Sequence, residues 1–301
     1  MDPAEARQLE EICIEKRGRL VHVYFATEAA RCVSFLRRCQ LPRIVSFHGA
    51  DTSEKLAPKE LTDIGASTDL FLCRSKSLAE ELAARGVDAS RIRLNYTGVP
   101  VPDEQHRPGD GRCLRILQAC RFLEKKGLET TLRAVAALHS SGSNVTLTLA
   151  GDGEEKARLE QLAAALGISH ITSFTGFIDE QQLGRLYLQH DIFVHPSRTT
   201  ESGDREGIPN SLLEAMAHGL PVIATRHSGI PEAIEHERTG LLIEQSVPEE
   251  LAAAIRALAT GQSERARLGA AARQRIVDRF SITACVGALE DAYEEVAAIH
   301  Q

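Results

Sequence analysis

The sequence predicts an α/β fold made of two domains that each contain a parallel β-sheet. Short β-branched runs alternate with longer segments rich in Ala, Leu, Glu and Arg along the whole chain, a pattern typical of βαβ units. The length of 301 residues suggests two domains, given the usual size of a single core. The segment 100–112, with three prolines and two glycines, has the composition of a linker between them.

Each predicted strand is a short apolar run, and each predicted helix is a longer segment with helical spacing. Before the linker, strands are predicted at 20–24, 43–47, 69–73 and 92–95, with helices at 28–40 and 76–85. After it, strands are predicted at 115–119, 145–149, 171–174, 192–194, 222–224 and 240–243, with helices at about 128–140, 154–166, 179–189 and 281–300. Ligands of such sheets bind outside the carboxyl ends of the strands, so candidate site residues are sought there.

Composition and charge exclude several classes of function. The net charge of −7 and the absence of Trp argue against a nucleic-acid partner. The seven cysteines show no C-x-x-C spacing, which predicts reduced thiols in the cytoplasm. We see neither a secretory signal nor an apolar run long enough for a bilayer, so we expect a cytoplasmic protein. The basic stretch 31–43 is either a solvated helix face or a peripheral contact with anionic lipid at the inner face of the membrane.

The most informative segment runs from Glu206 to Glu214 and passes from a Gly-Ile-Pro turn into a helix. The start of a helix beside the end of a strand is a ready anion site, because its first backbone N–H groups lack intrahelical partners. Carboxylates that frame such a site would hold hydroxyl groups, since they would repel a phosphate. Phosphate next to several hydroxyl groups describes a sugar nucleotide.

This segment resembles the E-x7-E signature of retaining glycosyltransferases with the GT-B fold, in particular glycosyltransferase family four (group 1). The resemblance rests on Glu206-Gly207, Glu214-Ala-Met-Ala and Gly219-x-Pro-Val in the family's order and spacing. It implies that Glu206 binds hydroxyls of the transferred sugar and that Glu214 binds the ribose hydroxyls. It also implies that the backbone of four residues faces the sugar and diphosphate: Gly207, Ile208, Pro209 and Asn210.

A basic segment after the first strand of the second half completes the implied donor site. Residues 121–127 resemble the family's G-R-L-x-x-x-K-G element, in which Arg121 and Lys126 hold the donor diphosphate and Cys120 replaces the usual Gly. The alternative is a basic loop turned to solvent. Because the leaving group is a nucleoside diphosphate, its charge has to be stabilised by cations and helix N-termini where no metal is used. No metal-binding D-x-D pair is present, so we expect no metal and no cofactor.

Two weaker matches concern the nucleotide. The turn 150–154 resembles the family's G-x-G pattern through Gly151 and Gly153, although a plain strand-to-helix turn explains it equally well. The segment that contains Phe177 and Ile178 matches the part of the family whose backbone reads the base.

The first half contributes one candidate. Residues 46–51 resemble the family's H-G-x-D element, in which His48 contacts the sugar across the cleft between the domains; a role for Asp51 is less well supported. His195, after a strand in the second half, is expected to be structural.

The resemblance covers nearly the whole chain but only the second part of the family's first domain. It implies a GT-B-like fold of two Rossmann-like domains facing a cleft. Residues 1–105 would form a shortened, incomplete acceptor-side domain, 106–280 the nucleotide-sugar domain, and 281–301 a helix that crosses back to the first domain. Residues 1–19 contain no match to the family's Gly-rich loop.

The implied reaction is the metal-independent transfer of a hexose, with retention, from a UDP- or GDP-sugar to a hydroxyl of a glycan or lipid-linked sugar. The favoured mechanism is front-face attack, and double displacement is the alternative. Because the first domain is short, three interpretations stay open: an active transferase with a minimal acceptor domain, one half of a split enzyme completed by a partner chain or second copy, or a truncated product or inactive donor-binding relic. Outside the enzyme class, the alternative is a non-catalytic nucleotide-sugar-binding module.

Overall fold

The structure is a computed structural model that describes residues 2–48, 56–107, 109 and 112–299. The chain forms two compact units. Unit 1 comprises Met1–Gly98 together with Thr283–Gln301, and unit 2 comprises Val99–Ile282.

Helices and strands alternate along the described residues. Up to residue 98 they are α1 (Pro3–Glu15), β1 (Val21–Tyr24), α2 (Ala26–Arg38), β2 (Arg43–Phe47), α3 (Pro58–Ala66), β3 (Leu70–Cys73), α4 (Lys76–Ala84) and β4 (Ile92–Leu94). They continue as β5 (Leu114–Ala119), α5 (Leu128–Ser140), β6 (Val145–Ala150), α6 (Lys156–Ala165), β7 (Thr172–Phe174), α7 (Glu180–Gln189), β8 (Ile192–His195), α8 (Asn210–Ala217), β9 (Val222–Thr225), α9 (Ile230–Ala233), β10 (Leu241–Ile243), α10 (Pro248–Ala259), α11 (Gln262–Arg279) and α12 (Ile282–Ile299). Each strand predicted from the sequence is confirmed, with bounds that differ by at most one residue.

In the described part of unit 1, the sheet has four parallel strands in the order β1-β2-β3-β4. Side chains alternate between the two faces of a strand, and both faces of β2 and β3 are buried. On one face, Val45 and Phe71 pack in a cluster with residues of α2 and α3. On the other face, Ile44 and Leu72 pack against Val296 of α12. The final helix therefore covers the second face of this sheet.

The sheet of unit 2 has six parallel strands within the described residues, in the order β10-β9-β8-β5-β6-β7. Strand order reverses between β5 and β8, which are neighbours although three helices and two strands separate them in sequence. This is the order of a Rossmann-like sheet, and its ligands bind at the carboxyl ends of the two strands that flank the reversal. The chemistry of unit 2 is therefore expected after Ala119 and after His195.

The same Arg–Asp clamp joins neighbouring strands at the amino edge of both sheets. In unit 1, Arg43 donates its backbone N–H and Nε to Asp69 Oδ2 at 2.8 and 3.0 Å, and Nη2 to Oδ1 at 2.9 Å. In unit 2, Arg115 makes the same three hydrogen bonds to Asp191, at 2.9, 2.9 and 3.0 Å. Burial raises the pKa of Asp191, but the hydrogen bonds from Arg115 outweigh it and hold that pKa below its usual value. The clamp fixes which strands pair, because one carboxylate binds the backbone and side chain of the adjacent strand.

We predict that Asp69→Asn lowers the free energy of unfolding by about 2 kcal/mol, since hydrogen bonds to charged groups contribute roughly 1.5–3 kcal/mol each. The Arg43 and Asp69 side chains are only 18% and 17% exposed. Asp63→Asn is the matched control in the same unit, because it breaks the Arg37–Asp63 pair, whose side chains are 53% and 31% exposed. That control should change stability by less than about 1 kcal/mol. Urea unfolding measures both variants, and an equal loss in the two would contradict the clamp.

Candidate active site

A buried ion pair lies at the carboxyl edge of the unit 2 sheet, beside the reversal of strand order. Lys126 ends a 3-10 turn, Glu124–Lys126, that follows β5. Its Nζ binds Glu206 Oε2 in a short contact. The two side chains are only 14% and 13% exposed. Two residues that the sequence predicted for one donor site are thus brought together, and in this structure each neutralises the other.

Gln118, a fully buried side chain in β5, fixes the backbone position of Lys126. Gln118 Nε2 donates to the Lys126 carbonyl at 2.8 Å, and Thr131 Oγ1 donates to Gln118 Oε1 at 2.6 Å. A buried polar group is retained where its hydrogen bonds are satisfied, so this amide acts as a spacer between strand and turn. Sequence reasoning missed Gln118. The available signal was a single amide, Gln118, between apolar residues near the end of the strand.

Gly127 lets the turn pass directly over the segment that follows β8. Its φ is 67°, in the left-handed region, and a Cβ there would lie 1.8 Å from the Pro196 carbonyl oxygen. No side chain fits in that gap. The Gly of the basic element is therefore required by a close backbone approach as well as by its conformation.

Glu206 is surrounded by cationic and imidazole groups. Besides Lys126, His195 Nε2 lies 3.9 Å from Glu206 Oε2, and the Glu206 backbone N–H donates to His227 Nε2 at 3.1 Å. Burial raises the pKa of Glu206, but His195 and Lys126 outweigh it and hold that pKa far below its ordinary value of 4.5. A depressed carboxyl pKa means that the pair stabilises the fold at neutral pH, and that this stabilisation is lost as the pH falls through the folded pKa.

Both histidines next to Glu206 are buried and have lowered pKa values, mainly because burial disfavours the charged imidazole. Neither ring nitrogen of His195 has a hydrogen-bond partner among the residues that the structure describes. His195 lies next to Glu206, and the structural role expected for it stays a prediction. His227, which follows β9, was not singled out from the sequence at all, because one His in a loop has no distinctive spacing.

The second glutamate belongs to α8, and its carboxylate is bound by a tyrosine. Glu214 Oε2 accepts from Tyr187 Oη at 3.0 Å. Burial raises the pKa of Glu214 above its usual value, against the effect of the tyrosine hydrogen bond. Tyr187 is almost fully buried, so its hydroxyl fixes the position of one carboxylate oxygen of Glu214. Sequence reasoning missed Tyr187.

The turn before α8 presents backbone rather than side chains. Pro209 is the buried residue before the first turn of α8, and no side chain among the described residues caps that turn. Gly207 and Ile208 are half-buried, and Asn210 is exposed. Uncapped N–H groups at the start of a helix attract anions. The predicted contact of this backbone with sugar and diphosphate stays a prediction.

Arg121 is exposed, and no hydrogen bond or ion pair of its guanidinium is present within the described ranges. Its loop is pressed against the Gly-rich turn after β6. A Cβ on Gly151 would lie 2.0 Å from the Cys120 carbonyl oxygen, and one on Gly153 would lie 2.5 Å from the Phe122 carbonyl oxygen. These glycines therefore shape the loop that presents Arg121; nothing in the structure tests their contact with a donor.

Phe177 and Ile178 follow β7. The Phe177 ring is 89% exposed, and Ile178 is half-buried. The preceding residue, Gly176, accepts a hydrogen bond from the Gly151 N–H at 3.1 Å, which ties this segment to the Gly-rich turn. A role in reading the base stays a prediction.

His48 lies in unit 1, directly after β2. Its ring stacks on Phe25 with centroids 4.3 Å apart. Burial and the nearby charge of Arg74 lower its pKa to about 4, so the imidazole is neutral at neutral pH. Asp51, which was considered with His48, falls outside the described residues.

The described residues contain neither a candidate metal site nor a candidate membrane-spanning helix. They contain no group of three or more His, Cys, Asp or Glu side chains with the geometry of a metal site. None of their helices combines the length and apolar character needed to cross a membrane.

Comparisons with known proteins show which family and which fold this chain resembles. Residues 108–275 match the family model described as glycosyl transferases group 1. The amylovoran biosynthesis glycosyltransferase AmsK of Erwinia amylovora is 32% identical over 92% of this chain and 70% of its own length. The putative colanic acid biosynthesis glycosyltransferase WcaL of Salmonella typhimurium is 32% identical over 69% of this chain and 53% of its own length. The chain thus spans about half the length of WcaL.

A solved structure shows the same fold. The crystal structure of Anabaena Alr3699/HepE in complex with UDP superposes with a TM-score of 0.81 at 19% identity, covering 97% of this chain and 82% of that one.

We predict that Gly127→Ala destabilises the protein far more than Gly142→Ala. Both glycines have positive φ, 67° and 84°, so both substitutions place a side chain in a left-handed conformation, which costs about 1–2 kcal/mol. Only at Gly127 does the new Cβ meet a backbone atom, whereas nothing lies within 4 Å at Gly142. Denaturant unfolding should show a loss of about 3 kcal/mol or more for Gly127→Ala, since the overlap with Pro196 adds to the strain. Equal losses in the two variants would show that the close approach is not a constraint.

Proposed function

Because the chain belongs to the group 1 family of glycosyl transferases, we propose that it moves a hexose from a nucleotide diphosphate sugar to a hydroxyl of a glycan acceptor, with retention and without a metal. Its fold is that of the GT-B glycosyltransferases, with two Rossmann-like units built on parallel sheets. The observation that supports the proposal most is the buried Lys126–Glu206 pair at the reversal of strand order in unit 2.

The donor diphosphate would lie between the cations and the start of α8. Lys126 and Arg121 would bind the phosphate oxygens, and the uncapped amides before α8 would add backbone donors. The exposed, uncommitted guanidinium of Arg121 supports this role, because such a group is available to an incoming anion. Negative charge develops on the leaving diphosphate, so cations placed there stabilise the transition state more than the bound donor.

The two glutamates would bind hydroxyl groups. Glu206 stays ionised and, once Lys126 has moved to the phosphates, its oxygens accept hydrogen bonds from the transferred sugar. Glu214 would bind the ribose through its carboxylate. Hydrogen bonds to ionised acceptors are about twice as strong as neutral ones, so these residues fix the orientation of the sugar over the phosphates.

The proposed reaction is a front-face substitution. The bond between the anomeric carbon and the phosphate oxygen breaks while the acceptor oxygen bonds to the same face of that carbon. The acceptor proton passes to the departing phosphate oxygen, so atoms and charge balance without a protein base. Lys126 and Arg121 stabilise the leaving group, and Glu206 orients the sugar.

The names of the relatives support the acceptor class. AmsK and WcaL are named for the biosynthesis of amylovoran and of colanic acid, and the solved Alr3699/HepE structure holds UDP. We therefore place the chain in polysaccharide or lipopolysaccharide biosynthesis, with a UDP- or GDP-linked hexose as donor. A second copy or a partner chain that adds to unit 1 belongs to the same proposal.

We predict that either UDP or GDP raises the melting temperature, because a ligand at 100 times its Kd stabilises the folded state by about 2.7 kcal/mol. With the matching nucleotide sugar, Lys126→Ala should lower kcat by roughly 10²–10³-fold, the usual effect of removing one electrostatic donor. Donor turnover is measured as the release of the nucleoside diphosphate, with and without glycan acceptors.

Lys125→Ala is the matched control, because the neighbouring Lys125 binds Asp204 at 3.0 Å and has no role in the proposed site. It should turn over like the wild type. Transfer by Lys126→Ala at the wild-type rate would remove Lys126 from the mechanism. Nucleotide binding with no turnover of any donor would instead support a binding module.

A further inference from the structure

Four residues that directly follow the four described strands of unit 1 lie in a row at the carboxyl edge of its sheet. They are Phe25, His48, Arg74 and Asn95. Phe25 stacks on His48, and Arg74 binds Asn95. This edge is where parallel sheets bind ligands, and the donor site proposed for unit 2 is built from other residues.

Two exposed aromatic rings stand at one end of the row. Tyr24 and Phe25 are 43% and 42% exposed. Each ring lies against an imidazole: His22 and Tyr24 have centroids 4.2 Å apart, and Phe25 and His48 4.3 Å apart, both pairs at an interplanar angle of 28°. Adjacent exposed aromatics that are rigidly backed are typical of a binding surface rather than of scattered surface residues.

The backbone of Phe25 is strained in a way that holds its ring at this edge. Its φ is 74° and its ψ 128°, a region that bulky residues rarely adopt. Its N–H donates to the Ser46 carbonyl and its carbonyl accepts from the Ala29 N–H, both at 3.1 Å. Such strain persists mainly where a side chain is needed in one position.

The other end of the row holds a cation whose described acceptors are all uncharged. Arg74 Nη1 donates to the Asn95 carbonyl at 3.0 Å, to Asn95 Oδ1 at 2.9 Å and to the Tyr96 carbonyl at 3.0 Å. Its Nε is buried without a hydrogen-bond partner in the part of the chain that the structure describes. A partly buried charge is unfavourable where no counter-charge lies near it. None of the described residues supplies one to Arg74 through a hydrogen bond or ion pair, so an incoming anion would be stabilised here.

Between the two ends, His48 Nε2 is also buried without a hydrogen-bond partner within the described ranges. Two strand spacings separate Phe25 from Arg74, or about 10 Å. The row thus offers an aromatic face, then a neutral hydrogen-bonding group, then a cation. A pyranose ring with an acidic substituent presents the matching sequence: an apolar C–H face, hydroxyl groups and a negative charge.

We propose that this edge of unit 1 is an acceptor subsite for an acidic glycan, in which Tyr24 and Phe25 stack on a pyranose ring and Arg74 binds a carboxylate or phosphate carried by the same glycan. The inference rests on the proposed transferase function and names the class of its acceptor. Guanidinium binds both anions through paired N–H donors, so the shared chemistry is a planar or tetrahedral oxyanion.

The test is saturation-transfer NMR titration of the full chain with three probes: methyl β-glucuronide, glucose 6-phosphate and methyl β-glucoside. We expect at least one acidic probe to bind about tenfold more tightly than the neutral glucoside, since one guanidinium–oxyanion pair contributes on this order. The acidic probe that binds more tightly identifies the anion as carboxylate or phosphate. Equal binding of the three probes, or binding of none, would overturn the proposal without any variant.

Variants then separate the two ends of the row. Arg74→Gln should remove the preference for acidic probes, whereas Phe25→Leu should weaken all three alike. Arg91→Gln is the matched control: Arg91 also donates to backbone carbonyls, those of Gly65 and Thr68, but it precedes β4 at the opposite edge of the sheet. An unchanged preference in Arg74→Gln, or the same loss in Arg91→Gln, would refute the role of Arg74.

Binding of UDP or GDP is measured by thermal shift in the same samples, and this measurement distinguishes the inference from the proposed function. Glycan binding that fails while the nucleotide still binds would overturn the acceptor subsite alone. Failure of the wild type to bind either UDP or GDP would overturn the donor proposal.

Discussion

The buried ion pair between Lys126 and Glu206 is the constraint on which the candidate site depends. Two charges with side chains only 14% and 13% exposed are tolerated only when each compensates the other. Their segments follow the two strands at the reversal of strand order, and uncharged contacts hold each in place. Gln118 binds the Lys126 carbonyl, Gly127 lets the turn lie against Pro196, and His227 accepts the Glu206 N–H. The polypeptide therefore fixes the pair before any ligand arrives.

The pair also has a chemical consequence. A site that binds a diphosphate next to a sugar needs a cation for the phosphates and an anion for the hydroxyls. In the structure these opposite charges neutralise each other, so neither is left unpaired at the buried edge. In the proposed complex, the donor separates them by supplying phosphate to Lys126 and hydroxyls to Glu206. We therefore infer that Lys126 exchanges Glu206 for the phosphates when a donor binds.

The sequence predicted the strands well, because both faces of the central strands are buried and such strands are continuous β-branched runs. Glu206, Glu214 and Lys126 could be singled out because their spacing resembles a known motif, and their roles in donor binding stay a prediction. Gln118, Tyr187 and His227 were not, because their importance comes from contacts between segments distant in the sequence. The row at the carboxyl edge of unit 1 could not be recognised from the sequence for the same reason. Phe25, His48 and Arg74 come side by side only when the parallel strands pair.

The most direct test of the account is calorimetric titration of the nucleoside diphosphate, UDP or GDP, into the wild type, Glu206→Gln and Glu214→Gln. A nucleoside diphosphate lacks the transferred hexose, so Glu206 adds nothing to its binding free energy. Its phosphates have to compete with Glu206 for Lys126. The account predicts that Glu206→Gln binds the nucleotide about tenfold more tightly, equivalent to roughly 1.4 kcal/mol. Glu214→Gln, which removes a carboxylate that does not pair with Lys126, should bind it no more tightly than the wild type. Unchanged or weaker binding by Glu206→Gln would contradict the claim that Lys126 exchanges Glu206 for the phosphates.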